Sequence, residues 1–228
     1  MTSTRPRGRT VRWAGLAVVA AVLLTGCNAV PGFNPGVAAR VDDDTISLNT
    51  VNDVSTAYCD YVVTQLQEGQ ALPQHLLRGQ VAGNLALRSA ADQFAADEGV
   101  TADPSYDAAV AQAEQGLADL PAAQRQAVID VQGATTYVQA VEKSVGAKLG
   151  TDGGAEAQVA AGQKAFQEWL DEHDIAIDPR FSVSIDAGAA APADTSLSFP
   201  LGVTATKANA DQPDTEYAGA LPESQRCG

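Results

Sequence analysis

Between Val37 and Tyr61 the apolar pattern changes period, and the change dictates what the rest of the chain must supply. Val37, Ala39 and Val41 alternate with Ala38 and Arg40, the spacing of a short half-buried strand. Asp42, Asp43 and Asp44 bring turn chemistry, and Thr45 and Ile46 suit a second short strand. Ser47 is an N-cap residue, its hydroxyl available to an unpaired N–H of the first helical turn. After it Leu48, Val51, Val54, Tyr58, Tyr61 and Val62 recur at three- and four-residue steps, so one helix face is apolar. A hairpin feeding an amphipathic helix cannot bury that face alone, because helices in proteins draw most of their stability from packing. Later helices must cover it.

The run Ala39-Arg40-Val41-Asp42-x-Asp44-x-Ile46-Ser47, followed by a long helix, resembles the start of the N-terminal domain shared by the periplasmic chaperone SurA and related foldases. The resemblance implies a mainly α (α+β) fold over residues 37–228: a helical chaperone domain with a small antiparallel sheet, built from the N-terminal hairpin and C-terminal strands.

Ahead of this element, residues 1–12 carry Arg5, Arg7, Arg9 and Arg12 and no acid, and Ala14 to Leu24 are all apolar or small. A helix of that length reaches only about 16 Å, against roughly 30 Å of bilayer hydrocarbon. Residues 1–26 therefore read as a signal peptide rather than a span. Leu24-Thr25-Gly26-Cys27 resembles the bacterial lipobox, which implies diacylglycerol on the Cys27 thiol and an anchor on the extracytoplasmic face of the cell membrane. The alternative is an ordinary signal peptide with a chance cysteine. Two acyl chains hold a protein stably where one holds it marginally. Residues 27–36, with Pro31, Gly32, Pro35 and Gly36, then read as a flexible tether.

Removing residues 1–26 takes away four arginines and no acid, so the net charge of −14 becomes −18. Nucleic acid is an unsuitable partner for a chain with 28 acids and no clustered basic surface. Beyond Cys27 two cysteines are left, Cys59 in the first helix and Cys227 near the end, an even pair in an exported chain. A bridge would pin the tail to the opening element and, by chain-entropy reasoning, stabilise by up to about 5 kcal/mol. Two separate thiols are the alternative. No His or second Cys stands at metal spacing from either, so neither a metal nor a redox site is expected.

The middle of the chain reads as helices. Leu72-Pro73 opens one, with the stripe Leu77, Val81, Leu85, Ala91 and Phe94, and Gly99 as its C-terminal cap. Asp103-Pro104 starts a second, with Tyr106, Val110, Ala113 and Leu117 on one face. Pro121 starts a third, whose stripe Val128, Val131, Thr135, Val138, Val141 and Val145 runs on to Lys148. After the break at residues 150–154 a final helix from Ala155 to Glu172 presents Val159, Phe166, Trp169 and Leu170. These stripes are core; a cradle of helices would leave some of their residues facing a groove. The stretch from Leu85 to Gly99, ending in Gly-Val, also resembles the corresponding part of the SurA family.

Ile175, Ile177, Phe181, Val183 and Ile185 alternate around Asp178-Pro179-Arg180, an extended segment with a proline interruption that suits an edge position. It resembles the I-x-I-x-P-R-F run after the last helix in SurA-type foldases. Residues 187–195 read as a small-residue loop, Leu197 to Leu201 as a strand, residues 204–214 as a polar connection, and residues 220–228 as a specific, structured close.

Parvulin domains, which carry the prolyl isomerase chemistry in that family, need about 90 residues and a histidine pair; here only His75 and His173 occur and no such block is left. There is no phosphate loop, nucleophile elbow or metal-ligand cluster. Asp171, Glu172, His173 and Asp174 are consecutive, so they point apart on a helix and read as a solvated helix end. The Asp42–Asp44 run lacks the spaced ligands of a calcium loop and reads as a polar turn. No catalytic residue and no cofactor is expected. The resemblance implies a lipid-anchored protein that binds unfolded or newly exported polypeptides without ATP; a degenerate prolyl isomerase and an envelope adaptor with one dedicated partner are the competing readings.

Overall fold

Strand β1 (Val37–Val41) turns through Asp42 and Asp43 into β2 (Asp44–Ser47), with Asp42 at φ 49°. Ser47 Oγ accepts the Thr50 N–H at 3.0 Å, and helix α1 (Leu48–Val63) begins behind that cap. The computed structural model describes residues 35–150, 153–194, 202–208, 210 and 215–228; the expected signal peptide, Cys27, most of the tether and the strand expected at Leu197 to Leu201 lie outside them. Residues 36–228 form one unit, mainly helical with small antiparallel sheets, the fold class the sequence predicts.

Leu72 and Pro73 do not open the next helix but form a short strand, β3 (Leu72–Pro73). Pro73, at φ −60° and ψ 125°, is extended, and α2 (Gln74–Asp97) starts after it and stops short of Gly99 at φ 61°. Proline is compatible with both states, and the partner strand from the chain's far end decides between them. Helix α3 (Ser105–Gly116) is capped by Asp103, whose Oδ1 accepts the Ser105 N–H at 3.0 Å. Only Tyr106 of its predicted face is buried; Val110, Ala113 and Leu117 are half-buried.

The single helix expected from Pro121 to Lys148 is two, α4 (Ala122–Gln132) and α5 (Ala134–Lys148), parted at Gly133. A Cβ at Gly133 would run into the Ile129 carbonyl, so only glycine allows this local geometry. The bend lets one stripe serve two cores. Helix α6 (Ala155–Glu172) has the predicted ends and lies so close to α5 that a Cβ at Gly162 would overlap the Glu142 carbonyl.

Strand β4 (Ile175–Ile177) pairs with β1, completing a sheet of order β2-β1-β4. The 3-10 turn at Pro179–Phe181 leads into β5 (Val183–Asp186), which belongs to a different sheet. The loop expected at residues 187–195 contains β6 (Ala189–Pro192), paired with β5 across the two-residue turn Ala187-Gly188. Both turn residues have positive φ, 48° and 75°, as a tight hairpin requires. Part of the polar connection is helix α7 (Val203–Ala208), and after α8 (Thr215–Gly219) strand β7 (Arg226–Cys227) pairs with β3.

Two core clusters result. Val51, Tyr58, Leu77, Val81, Val128 and Phe181 fill one; Leu87, Phe94, Val141, Val145, Phe166 and Trp169 fill the other. Helix α2, 24 residues and so about 36 Å long, contributes to both and is the spine of the fold. Alternation along β1 places Ala38 in the first cluster and Val41, on the opposite face, in the second.

Candidate functional site

Small residues on α2 help to shape a concavity of mixed apolar and neutral polar lining. A Cβ at Gly79 would lie 2.5 Å from the Phe181 carbonyl oxygen, and one at Gly83 would lie 2.8 Å from both Ala190 Cβ and Val183 Cγ2. The β5–β6 hairpin therefore rests directly on the helix backbone. Residues 181–183 and 190–192 form one wall of a groove, α1 supplies Tyr58 and Val62 opposite, and Leu76, Leu77 and Gln80 of α2 line it between them. Val131, Gln132 and Thr135, at the α4–α5 bend, line it as well.

The groove has a volume of about 710 Å³, within the range of cavities that take ligands. Tyr58 is its only ionisable lining residue. The polar groups are neutral: Gln80, Asn84, Gln132, Thr135 and Ser182. Gln132 Nε2 donates to Tyr58 Oη at 3.2 Å, and Asn84 Nδ2 donates to the Gln80 carbonyl at 3.0 Å. Ser182 sits in the left-handed region at φ 47°, turning the chain from the 3-10 turn into the wall strand. Neutral amides among aliphatic surfaces can satisfy a peptide backbone and bury apolar side chains, without selecting a charge.

Cys59 and Cys227 form a disulfide with Cα atoms 5.6 Å apart, and Cys227 is fully buried. It holds β7 against β3, whose Leu72 lines the groove, so the bridge braces the rim. Cys27 lies outside the described residues. Among the described residues no group of three or more His, Cys, Asp or Glu is placed to hold a metal ion.

Asp171, Glu172 and Asp174 at the end of α6 are exposed, as the sequence suggests, but His173 is half-buried and engaged. His173 Nδ1 donates to Asp42 Oδ2 at 2.9 Å, the Asp174 N–H donates to Asp42 Oδ1 at 3.0 Å, and the His173 ring stacks on Trp169 with centroids 3.8 Å apart. Trp169 in turn donates Nε1–H to Asp97 at 2.9 Å. Asp42 is thus both the turn residue of the opening hairpin and the clamp on the end of α6.

A second, shallower cavity of about 520 Å³ lies where α2, α3 and α4 meet, lined by Arg88 and by Asp92, Asp107, Glu114 and Asp130. Arg88 lies 3.5 Å from the Tyr137 ring centroid and donates to Tyr106 Oη at 2.7 Å, while Tyr137 donates to Asp92. Burial, with the Asp92 hydrogen bond, pushes the Tyr137 phenol up to about 12. This network fastens α3 to the spine.

Glu142 on α5 is 4% exposed. A Cβ on Gly188, at the tip of the β5–β6 hairpin, would lie 3.7 Å from Glu142 Oε1 and 3.5 Å from Phe166. Burial pushes the carboxyl up to about 7.

Neither the groove amides nor β6 is marked in the sequence. The one available signal is Ala187-Gly188, a turn pair between Ile185 and Ala190. The fold defines a mainly helical protein with small antiparallel sheets and an uncharged groove beside a hairpin. Comparison with protein-family models, curated proteins and solved structures found no match.

Proposed function

We propose that this chain is a chaperone-like protein of the extracytoplasmic face, anchored in the cell membrane by lipid on Cys27, that holds unfolded or newly exported polypeptides without ATP. One observation carries the reading. In a chain of net charge −14, the groove walls bring together apolar side chains and neutral amides and no charged group. An unfolded segment presents what such a surface accepts, apolar side chains and a polar backbone. The acidic exterior would keep the protein soluble while it is loaded. The likeness of residues 39–47 and 175–181 to SurA-type foldases supports the same reading. No described helix is long and apolar enough to cross a membrane.

The test is suppression of aggregation. A soluble form beginning at residue 27 with Cys27→Ser, at near-equal molar amounts, should suppress aggregation of a reduced, unrelated protein. No effect at several-fold excess would reject the holding function and leave the dedicated-partner reading. Acceleration of proline isomerisation in a model peptide would favour an enzyme instead.

A further inference from the structure

Among the described residues no further strand pairs with the outer edge of the β5–β6 hairpin. It is a two-stranded sheet in which Val183 faces Pro192, Ser184 faces Ala191, Ile185 faces Ala190 and Asp186 faces Ala189. Residues flanking a two-residue turn exchange hydrogen bonds, and antiparallel pairs then alternate between bonded and non-bonded. The Ala193 N–H donates to the Ser182 carbonyl at 2.9 Å, which fixes the phase of that alternation. Ala189, Ala191 and Ala193 therefore bond inward to β5. The N–H and C=O of Ala190 and the C=O of Pro192 point outward, away from the hairpin's own ladder. Pro192 closes one position of the edge by lacking an N–H, as edge strands commonly do.

We propose that an extended, uncharged stretch of polypeptide binds by adding a strand to β6, pairing with Ala190 at the open edge while its side chains enter the groove. The proposal rests on the reading of the groove as a polypeptide site and names how the backbone is held. Three observations combine in it. The outward backbone groups of Ala190 and Pro192, with no backbone partner among the described residues, belong to residues that themselves line the groove. The hairpin packs on α2 at Gly83, and the 3-10 turn that leads into it packs at Gly79, so the strand is already held in place for pairing. The charge balance selects the occupant: no lining residue carries a charge, so a charged side chain entering the groove would lose its hydration without a partner. Strand addition supplies affinity through main-chain hydrogen bonds and leaves selection to alternate side chains, which suits a site that must accept many sequences.

Two variants at one position separate this from general stickiness. Ala190→Pro removes the outward N–H and leaves the hairpin's own hydrogen bonds; Ala190→Ser keeps that N–H. The probe is a fluorescein-labelled, end-blocked peptide of alternating valine and threonine, bound to the soluble protein and read by anisotropy. Ala190→Pro should bind it about tenfold more weakly, and Ala190→Ser like the parent, with far-UV circular dichroism unchanged. On the unaltered protein, peptides N-methylated at every second residue in the two possible phases should differ, one phase losing binding and the other keeping it. Equal binding of both phases, or of both variants, would overturn strand addition, and so would failure of the parent peptide to bind. In each case aggregation suppression decides separately whether the groove reading survives.

Discussion

His173 donates from Nδ1 to Asp42 Oδ2 at 2.9 Å across 131 positions of sequence, joining the end of the last long helix to the turn of the first hairpin. The same carboxylate also receives the Asp174 N–H, and the Asp174 carbonyl receives the Asp42 N–H at 2.9 Å. Three hydrogen bonds thus hold β4 beside β1. His173→Ala removes one of them and the stacking on Trp169, and should destabilise by about 1–2 kcal/mol in urea denaturation. An unchanged midpoint would show that the contact is incidental.

Glu142 sets the neutral and alkaline side of the stability profile. Its carboxyl ordinarily titrates near 4.5 and in the fold near 7. Below 4.5 it is neutral in both folded and unfolded chains and carries no penalty. As pH rises from 4.5 to about 7 the unfolded chain releases a proton that the fold retains, so stability falls, by about 3 kcal/mol in all. Glu142→Gln should abolish that slope: more stable than the parent above neutrality, alike near pH 4. Parallel profiles for the two proteins would refute the assignment.

The acid side belongs in part to Asp103. Hydrogen bonds from Ser105 and from Lys143, whose Nζ is 2.9 Å away, hold its carboxyl down to about 2. Its contribution is complete above 3.8 and disappears as pH falls towards 2. Asp103→Asn should weaken the protein at neutral pH and flatten the acid limb, readable from denaturation midpoints over the same series.

Reducing or removing the Cys59–Cys227 bridge frees a loop of 168 residues and should cost up to about 5 kcal/mol. Alkylation without reductant should find neither thiol. The double Cys→Ser variant should also release β7 from β3, seen as faster amide exchange around Leu72 and Cys227.

Gly79 and Gly83 should respond differently to alanine although both sit in the same helix. At Gly79 the new methyl meets a backbone oxygen, which cannot rotate away, and the variant should lose about 1–3 kcal/mol. At Gly83 it meets two side-chain methyls, and part of the clash is offset by about 1 kcal/mol of helix propensity. Thermal denaturation should rank Gly79→Ala below Gly83→Ala.

The elements legible in the sequence are those whose causes are local. Ser47 caps α1 because its own hydroxyl reaches Thr50, and α6 runs from Ala155 to Glu172 because glycines stand before it and its stripe ends there. The pairing of Cys59 with Cys227 is legible because they are the two cysteines left beside Cys27. Pro73 is not legible because extended and first-turn backbone suit it equally, and the valine stripe keeps its period through Gly133, where the helix is interrupted. Ala189-Ala190-Ala191 carries no polarity pattern, so nothing in it announces a strand until β5 lies alongside.

By itself, then, the sequence determined a mainly helical fold entered through a hairpin, a strongly acidic chain and two cysteines able to tie the tail to the first helix, because periodicity, charge and cysteine count need no knowledge of neighbours. Tertiary structure alone decided the groove, the buried Glu142 and the Asp42–His173 clamp. Each arises where segments far apart in sequence approach within a few ångströms, and which side chains meet there depends on helix crossings and strand register that no local pattern encodes.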